Sequence, residues 1–247
     1  MAGTRVQLCG RLALTWDGER IDDRLPSRQG RLLFAHLVVH RDRPVTRDAL
    51  VDAVWGDEPP DAAPGALRAL LSRLRRVLGA DAVTAGDEPR LVLPADAFID
   101  LEAAHESVHR AEAAVAAGDP VRAWAPARVA LHTADRGFLP ACDLPWAVAE
   151  RLRLEDVRLR ALECVGAAGM LMGGAELAAA ERAGRRLVEL APFRETGHRL
   201  LMEALARQGN TAEALLAYER LRVLLRDELG TAPCGPVQEL HARLLAG

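Results

Sequence analysis

The chain has 247 residues, 50% of them hydrophobic and 27% charged, with a formal net charge of -3 at pH 7. This composition predicts a folded protein with room for two modest domains, and it contains no run of about 20 apolar residues such as a membrane helix needs. All 32 basic residues are arginine, which excludes enzymes that depend on a P-loop lysine or a lysine nucleophile.

The N-terminal sequence and the spacing of the cysteines predict a cytoplasmic protein without a metal site. The first ten residues, MAGTRVQLCG, lack the basic and then apolar layout of a secretory signal. The four cysteines are far apart and form no CxxC pair, so they predict neither a zinc site nor a disulfide framework. We therefore expect neither a metal nor a cofactor.

Strand and helix signals alternate in the first hundred residues. Alternating apolar residues in RVQLCGRLALTW predict strands with one buried face, and DGER predicts a turn. A helix is expected from Ser27 to His40. It ends there because Pro44 blocks its continuation. Thr46 is the predicted N-cap of a short helix that stops at Gly56.

A third helix is predicted to end at Gly79, with Asp61 as its cap and Pro64 in its first turn. On a helical projection its apolar residues fall within an arc of about 120°. They are Leu67, Leu70, Leu71, Leu74, Val77 and Leu78. The remaining arc holds Arg68, Ser72, Arg73, Arg75 and Arg76, so the two faces are cleanly segregated.

Two short β-prone runs in AVTAGDEPRLVLP surround a Gly-Asp turn and predict a hairpin. Strands, three helices and a hairpin, in this order, are typical of a winged helix-turn-helix, which we assign to residues 1–100.

Residues 101–247 predict an all-α domain, so the fold class is mainly α. Gly174 aligns with Gly209, and Ala179 with Ala214, at an offset close to the tetratricopeptide period of about 34 residues. The second domain is therefore expected to be tetratricopeptide-like.

The segregated arginine face predicts a recognition helix in the major groove of DNA. Arg68, Ser72 and Arg75 are the expected groove contacts, and Arg73, Arg76 and Arg90 the expected phosphate contacts. The alternative is a solvated helix face. It stays open because the first hundred residues hold 14 arginines against 15 acidic residues and give no general positive field.

Two long segments resemble a known family. LSRLRRVLG, preceded by PVTRDALVDAVWGDEPPDAA, resembles the OmpR-type DNA-binding domain of the Streptomyces antibiotic regulatory protein (SARP) family. The second half is similar to the bacterial transcriptional activator domain of the same family. The residues that carry this likeness are Pro192, Glu195, His198, Arg199, Met202, Gly209, Ala214, Leu215, Tyr218, Leu229, Gly230 and Pro233.

The resemblance implies a sequence-specific transcriptional activator of a biosynthetic gene cluster, antibiotic biosynthesis being the family's field. Such a protein reads repeated promoter sites in double-stranded DNA and recruits RNA polymerase holoenzyme, while the helical domain supports polymerase contact and packing as a homodimer. The family's pattern is broken at Arg68–Leu71 and at Pro89–Arg90. These departures imply either another target sequence or a loss of specificity.

Two other readings remain. The chain could be a helical-repeat interaction or scaffold protein whose winged helix no longer binds DNA, or a recruited enzyme. No Ser-His-Asp or Cys-His arrangement has local support, so we predict that it is not an enzyme.

Two histidine pairs and a set of aromatic residues are possible ligand sites. His36 and His40, like His105 and His109, are four residues apart, but no third ligand is near in sequence, so we expect structural roles. Core packing is likewise expected, rather than a small-molecule groove, for Trp124, Trp146, Phe193 and Tyr218.

Overall fold

The computed structural model describes residues 3–246, and within them the chain is mainly α-helical. The four strands are β1 Arg5–Gln7, β2 Ala13–Trp16, β3 Glu19–Arg20 and β4 Phe98–Ile99. The ten α-helices are α1 Ser27–Val39, α2 Arg47–Trp55, α3 Ala63–Leu78, α4 Asp100–Ala116, α5 Pro120–Ala134, α6 Pro145–Met172, α7 Leu177–Leu190, α8 Glu195–Arg207, α9 Thr211–Leu229 and α10 Gly235–Ala246. The predicted class, a winged helix followed by an all-α tetratricopeptide-like region, is confirmed.

The N-terminal sheet has the strand order β3-β2-β1-β4. The alternation in the sequence is reproduced, because Val6 and Leu14 are buried and lie opposite each other in the antiparallel β1–β2 pair. The turn predicted for DGER is limited to Asp17 and Gly18, since the next two residues form β3. Strand β4, which pairs in parallel with β1, was not predicted.

The first two helices follow their signals, and the third begins differently. The side chain of Thr46 accepts a hydrogen bond from the amide of Ala49, and α2 ends at Gly56, whose φ is +60°. The prediction that Asp61 caps α3 was wrong. Helix α3 begins after Ala62 without a side-chain cap, because a turn closed by the Ala63 amide on the Pro60 carbonyl shifts its start.

The structure falls into two compact units that differ from a single division between residues 100 and 101. One, here the N-terminal unit, comprises the residues up to Ala103 together with Arg136–Leu154; the other, the helical unit, comprises Ala104–Asp135 and the residues from Glu155 onward. Residues 136–154 join the N-terminal unit because Cys9 pairs with Phe138, and the Trp146 indole donates to the Ala53 carbonyl at 2.9 Å. The domain limits 1–100 and 101–247 stay a prediction.

The helical unit has close helix packing at small residues. Helix α7 begins at Leu177 and α9 at Thr211, so the repeat is 34 residues long. A Cβ atom on Gly184 of α7 would come within 2.9 Å of Leu201 in α8, and one on Gly197 would come within 2.7 Å of Leu187. Backbones can approach this closely only where no side chain intervenes.

Core packing holds for three of the four aromatic residues. Trp124 and Tyr218 are half-buried against the apolar clusters of the helical unit, and Trp146 contacts Phe138 with ring centroids 5.8 Å apart. The expectation for Phe193 was wrong, because its side chain is 49% exposed. It lies in the turn between α7 and α8.

Buried His36 in α1 contacts half-buried His40, the residue that follows the helix. The rings of His36 and His40 are 4.2 Å apart, and His36 also meets the edge of Trp146 at 4.9 Å. Burial chiefly, together with the charges of His40 and Arg43, lowers the pKa of His36 to about 3. No group of three or more metal-ligating side chains occurs within residues 3–246. The same residues contain no helix that is long and apolar enough to cross a bilayer.

His36 should make the protein acid-sensitive. In the unfolded chain the His36 imidazole takes up a proton near pH 6.5, whereas in the folded protein it stays neutral down to about pH 3. The free energy of unfolding therefore falls as the pH drops between these values. In urea unfolding, His36→Leu is expected to reduce the loss of stability between pH 7 and pH 4 by about 3 kcal/mol. The exposed His132→Gln serves as the control and should behave like the parent. Equal losses in the parent and His36→Leu would contradict the assignment.

Candidate nucleic-acid interface

Helix α3 has an apolar and a basic face. Leu67, Leu71 and Leu74 are at most 1% exposed and pack within the three-helix core of the N-terminal unit. Leu70 is also buried, so this departure from the family's pattern reflects core packing. The amphipathic pattern therefore fixes which side of the helix faces solvent.

The predicted contact residues of α3 lie on the solvent side, with one difference among them. Arg68, Ser72, Arg73 and Arg76 are exposed, and Arg75 is half-buried. Among residues 3–246, none of these arginines lies within 4.0 Å of a carboxylate oxygen. Because α3 itself contains no acidic residue, its exposed face carries uncompensated positive charge.

The predicted hairpin is present as a loop with minimal pairing, which we call the wing (Ala82–Val92). Val83 bridges Leu91, and the amides of Thr84 and Val92 donate to the carbonyls of Arg90 and Ala82. The Thr84 hydroxyl accepts from the Arg90 amide at 2.8 Å. The predicted two strands are thus reduced to a single bridge.

Arg75 joins the wing to α3. Its Nε donates to the Val83 carbonyl at 2.9 Å, and its Nη2 donates to the Thr84 carbonyl at 2.6 Å. Two charge-assisted hydrogen bonds to one segment fix both the position and the direction of the guanidinium. The residue predicted as a groove contact therefore also orients the wing.

Arg47, which sequence reasoning missed, holds the tip of the wing. Its Nη2 donates to the Gly86 carbonyl at 2.9 Å, and its Nε lies 3.6 Å from the Asp87 carboxylate. The partners are about 40 residues apart in sequence, so no local pattern pointed to this contact. Asp87, which could oppose a phosphate contact at the wing, has its charge partly offset in this way.

Arg90 lies on the wing, close in sequence to two acidic residues. Its side chain is exposed, and within the described part of the chain no carboxylate lies within 4.0 Å of it. The neighbouring Pro89 is buried, so the Pro-Arg pair has one residue for packing and one for solvent. The structure thus brings together α3, the wing and the first turn of α2, all within the N-terminal unit.

Comparison with known proteins matches both halves of the chain. A family model described as the bacterial transcriptional activator domain matches residues 99–245, and one described as the C-terminal domain of transcriptional regulatory proteins matches residues 24–92. Regulatory protein AfsR of Streptomyces coelicolor is 37% identical over 230 residues, which are 93% of this chain and 23% of AfsR. Transcriptional regulator RedD of the same species is 33% identical over 225 residues, 87% of this chain and 63% of RedD.

A solved structure has the same fold. Mycobacterium tuberculosis EmbR, in complex with a low-affinity phosphopeptide, superimposes with a TM-score of 0.83 at 26% identity, covering 98% of this chain and 65% of EmbR. The chain thus spans about a quarter of the length of AfsR and just under two thirds of RedD and EmbR.

Removing the Arg75 guanidinium should loosen the wing and leave the helices intact. In Arg75→Ala we expect hydrogen exchange at the amides of Thr84 and Val92 to accelerate about tenfold, because two charge-assisted bonds that close the wing are lost. Arg76→Ala, which removes a neighbouring arginine without such bonds, is the control. Unchanged exchange in Arg75→Ala would show that the wing does not depend on this residue.

Proposed function

Because the chain belongs to the SARP family of transcriptional regulators, we propose that it is a sequence-specific DNA-binding activator of a biosynthetic gene cluster. The observation that carries the proposal is the face of α3 formed by arginines without carboxylate partners. Such a face attracts phosphate oxygens and can donate to guanine edges. This activity would place the protein in the cytoplasm.

The proposed contacts divide by chemistry. Arg68 and Ser72 project from the middle of α3, and we assign them to base edges in the major groove, where a guanidinium can form two bonds to guanine. Arg73, Arg76 and Arg90 are assigned to phosphates. For Arg75 we propose that the wing bonds limit its reach, so that its contribution to the groove is chiefly the orientation of the wing.

The activator role follows from the family. We propose that the protein reads repeated promoter sites and recruits RNA polymerase holoenzyme through contacts that include the helical unit. Repeated sites let two copies bind side by side, so a homodimer on DNA need not exist in free solution.

A scaffold without DNA binding is the second candidate. Two observations favour it: Ala69 is exposed in the middle of the basic face, and Glu88 is exposed at the tip of the wing. Fluorescence anisotropy on duplexes from promoters around its own gene, with scrambled competitor, separates the two functions. Specific binding supports the activator, and no binding at low salt by folded protein supports the scaffold.

The phosphate contacts predict a change in salt dependence. Each neutralised phosphate contributes about 0.9 to the slope of log K against log salt, so Arg73→Ala/Arg76→Ala should lower the slope by roughly 2. Arg220→Ala/Arg243→Ala removes two exposed arginines of the helical unit that also have no carboxylate partner among residues 3–246. This control should keep the parental slope, and a parental slope in the α3 variant would remove the assignment.

The base contact predicts a change in specificity. Arg68→Ala should relax the preference at one base position by about 1 to 3 kcal/mol, because a guanidinium fork to one base is lost. A binding-site selection measures the preference at every position. Arg76→Ala is the comparison, since loss of a phosphate contact weakens all sequences alike. An unchanged base preference in Arg68→Ala would contradict the groove assignment.

A further inference from the structure

A cavity of about 600 Å³ lies within the N-terminal unit, away from the residues assigned to DNA. Three arginines line it: Arg11 in the loop after β1, and Arg28 and Arg31 in α1. The other lining side chains are mostly apolar and include Leu12, Leu32, Leu139 and Cys142. Leu32, Leu139 and Cys142 are buried, so the cavity combines an apolar floor with a cationic rim.

The three guanidinium groups have no anionic partner in the part of the chain that the structure describes. None lies within 4.0 Å of a carboxylate, and none of the three side chains donates a hydrogen bond to protein. Arg11 also acts on Asp22, but the pKa of that carboxyl is lowered chiefly by its hydrogen bond to Arg20, and Arg11 is the smallest of the causes. That carboxylate is already bound at 2.6 Å by the Nε of Arg20.

Arg28 and Arg31 lie near the N-terminal end of α1, where a positive charge lowers the stability of the helix. Arg28 and Arg31 belong to its first two turns, which contain no acidic residue, and the one side-chain cap among the described residues is neutral: the Ser27 hydroxyl accepts from the Gly30 amide at 3.4 Å. The N-terminus of a helix carries partial positive charge, so cations there are unfavourable and an anion is favoured. Arg28 and Arg31 at this terminus, together with Arg11 in the lining of the same cavity, therefore create a local preference for negative charge.

The segment 139–142, which lines the cavity together with residues of α1, is held in place by hydrogen bonds from backbone amides and from Arg151. The Leu139 amide donates to the Leu8 carbonyl at 3.1 Å, and the Gly10 amide donates to the Gly137 carbonyl at 2.7 Å. The Nη1 of Arg151 donates to the carbonyls of Leu139 and Cys142 at 3.0 and 2.6 Å. Leu139 is kept at a φ of +36°, a conformation that leucine adopts only under constraint. The cavity is thus preformed rather than left by loose packing.

We propose that this cavity binds a small organic anion in which a carboxylate or phosphate group is joined to an apolar body. The guanidinium groups of Arg28, Arg31 and Arg11 take the anionic group, for which their planar donors are suited. The apolar floor around Leu32 and Leu139 takes the body of the ligand. A duplex fits the cavity less well, because its phosphates would leave the apolar floor uncovered.

The test uses anilinonaphthalenesulfonate, a fluorescent aromatic anion, and its uncharged relative phenylnaphthylamine. Arg28→Ser/Arg31→Ser should weaken binding of the anionic probe about tenfold or more, because charge-assisted bonds are lost. Arg220→Ser/Arg243→Ser, with the same change in net charge, should bind like the parent. Ala141→Trp fills the cavity from its exposed rim without changing an arginine, and it should also lose the probe.

Three results would overturn the proposal. The first is unchanged affinity for the anionic probe in both cavity variants. The second is equally tight binding of the uncharged probe by the parent, since the arginines would then have no part in it. The third is weaker DNA binding by Arg28→Ser/Arg31→Ser with unchanged probe binding, which would make these arginines duplex contacts.

Discussion

The buried carboxylate of Asp100 is the interaction on which the N-terminal unit depends. Its oxygens accept from the amides of Leu8 and Cys9 at 2.8 and 3.1 Å and from Nη2 of Arg136 at 3.1 Å. Burial raises the pKa of Asp100, and the amide donors and Arg136 act in the opposite direction. One carboxylate thus fixes the chain after β1, the first residue of α4 and the start of the segment 136–154. Without it, two amides and a guanidinium would be left without their acceptor in the interior.

Apolar packing sets the position of the arginine face of α3, and two arginines that bind the wing set the position of the wing beside it. Burial of Leu67, Leu71 and Leu74 determines how α3 is rotated about its axis, and so which residues reach solvent. The wing does not follow from that packing, because its two sides pair only at one bridge. Arg75 at its base and Arg47 at its tip supply the missing constraint. Arg75 and Arg47 therefore have a structural role, while the neighbouring arginines of α3 stay free to contact a ligand.

The features that the sequence predicted are those whose causes are local. The two faces of α3 follow from a period of 3.6 residues, and the start of α2 follows from the Thr46 hydroxyl three residues before its partner. The features that were missed have distant causes: β4 needs β1, more than 90 residues earlier, and Arg47 needs Gly86. Asp61 is the exception, because the turn from Pro60 to Ala63 that shifts the start of α3 is local. Residue type and spacing do not reveal a contact between residues that are far apart in sequence and that only the fold brings together.

The distribution of ion pairs explains how a chain with a net charge of -3 can present positive surfaces. In the helical unit arginines are widely matched with acids, for example Arg160 with Glu112 and Arg194 with Glu163, both by two hydrogen bonds. In the N-terminal unit the arginines of α3 and of the cavity beside α1 have no such partners among residues 3–246. Charge alone does not distinguish these two surfaces, but shape does. A convex helix face can enter a groove, whereas an apolar-floored cavity admits only a ligand small enough to be enclosed.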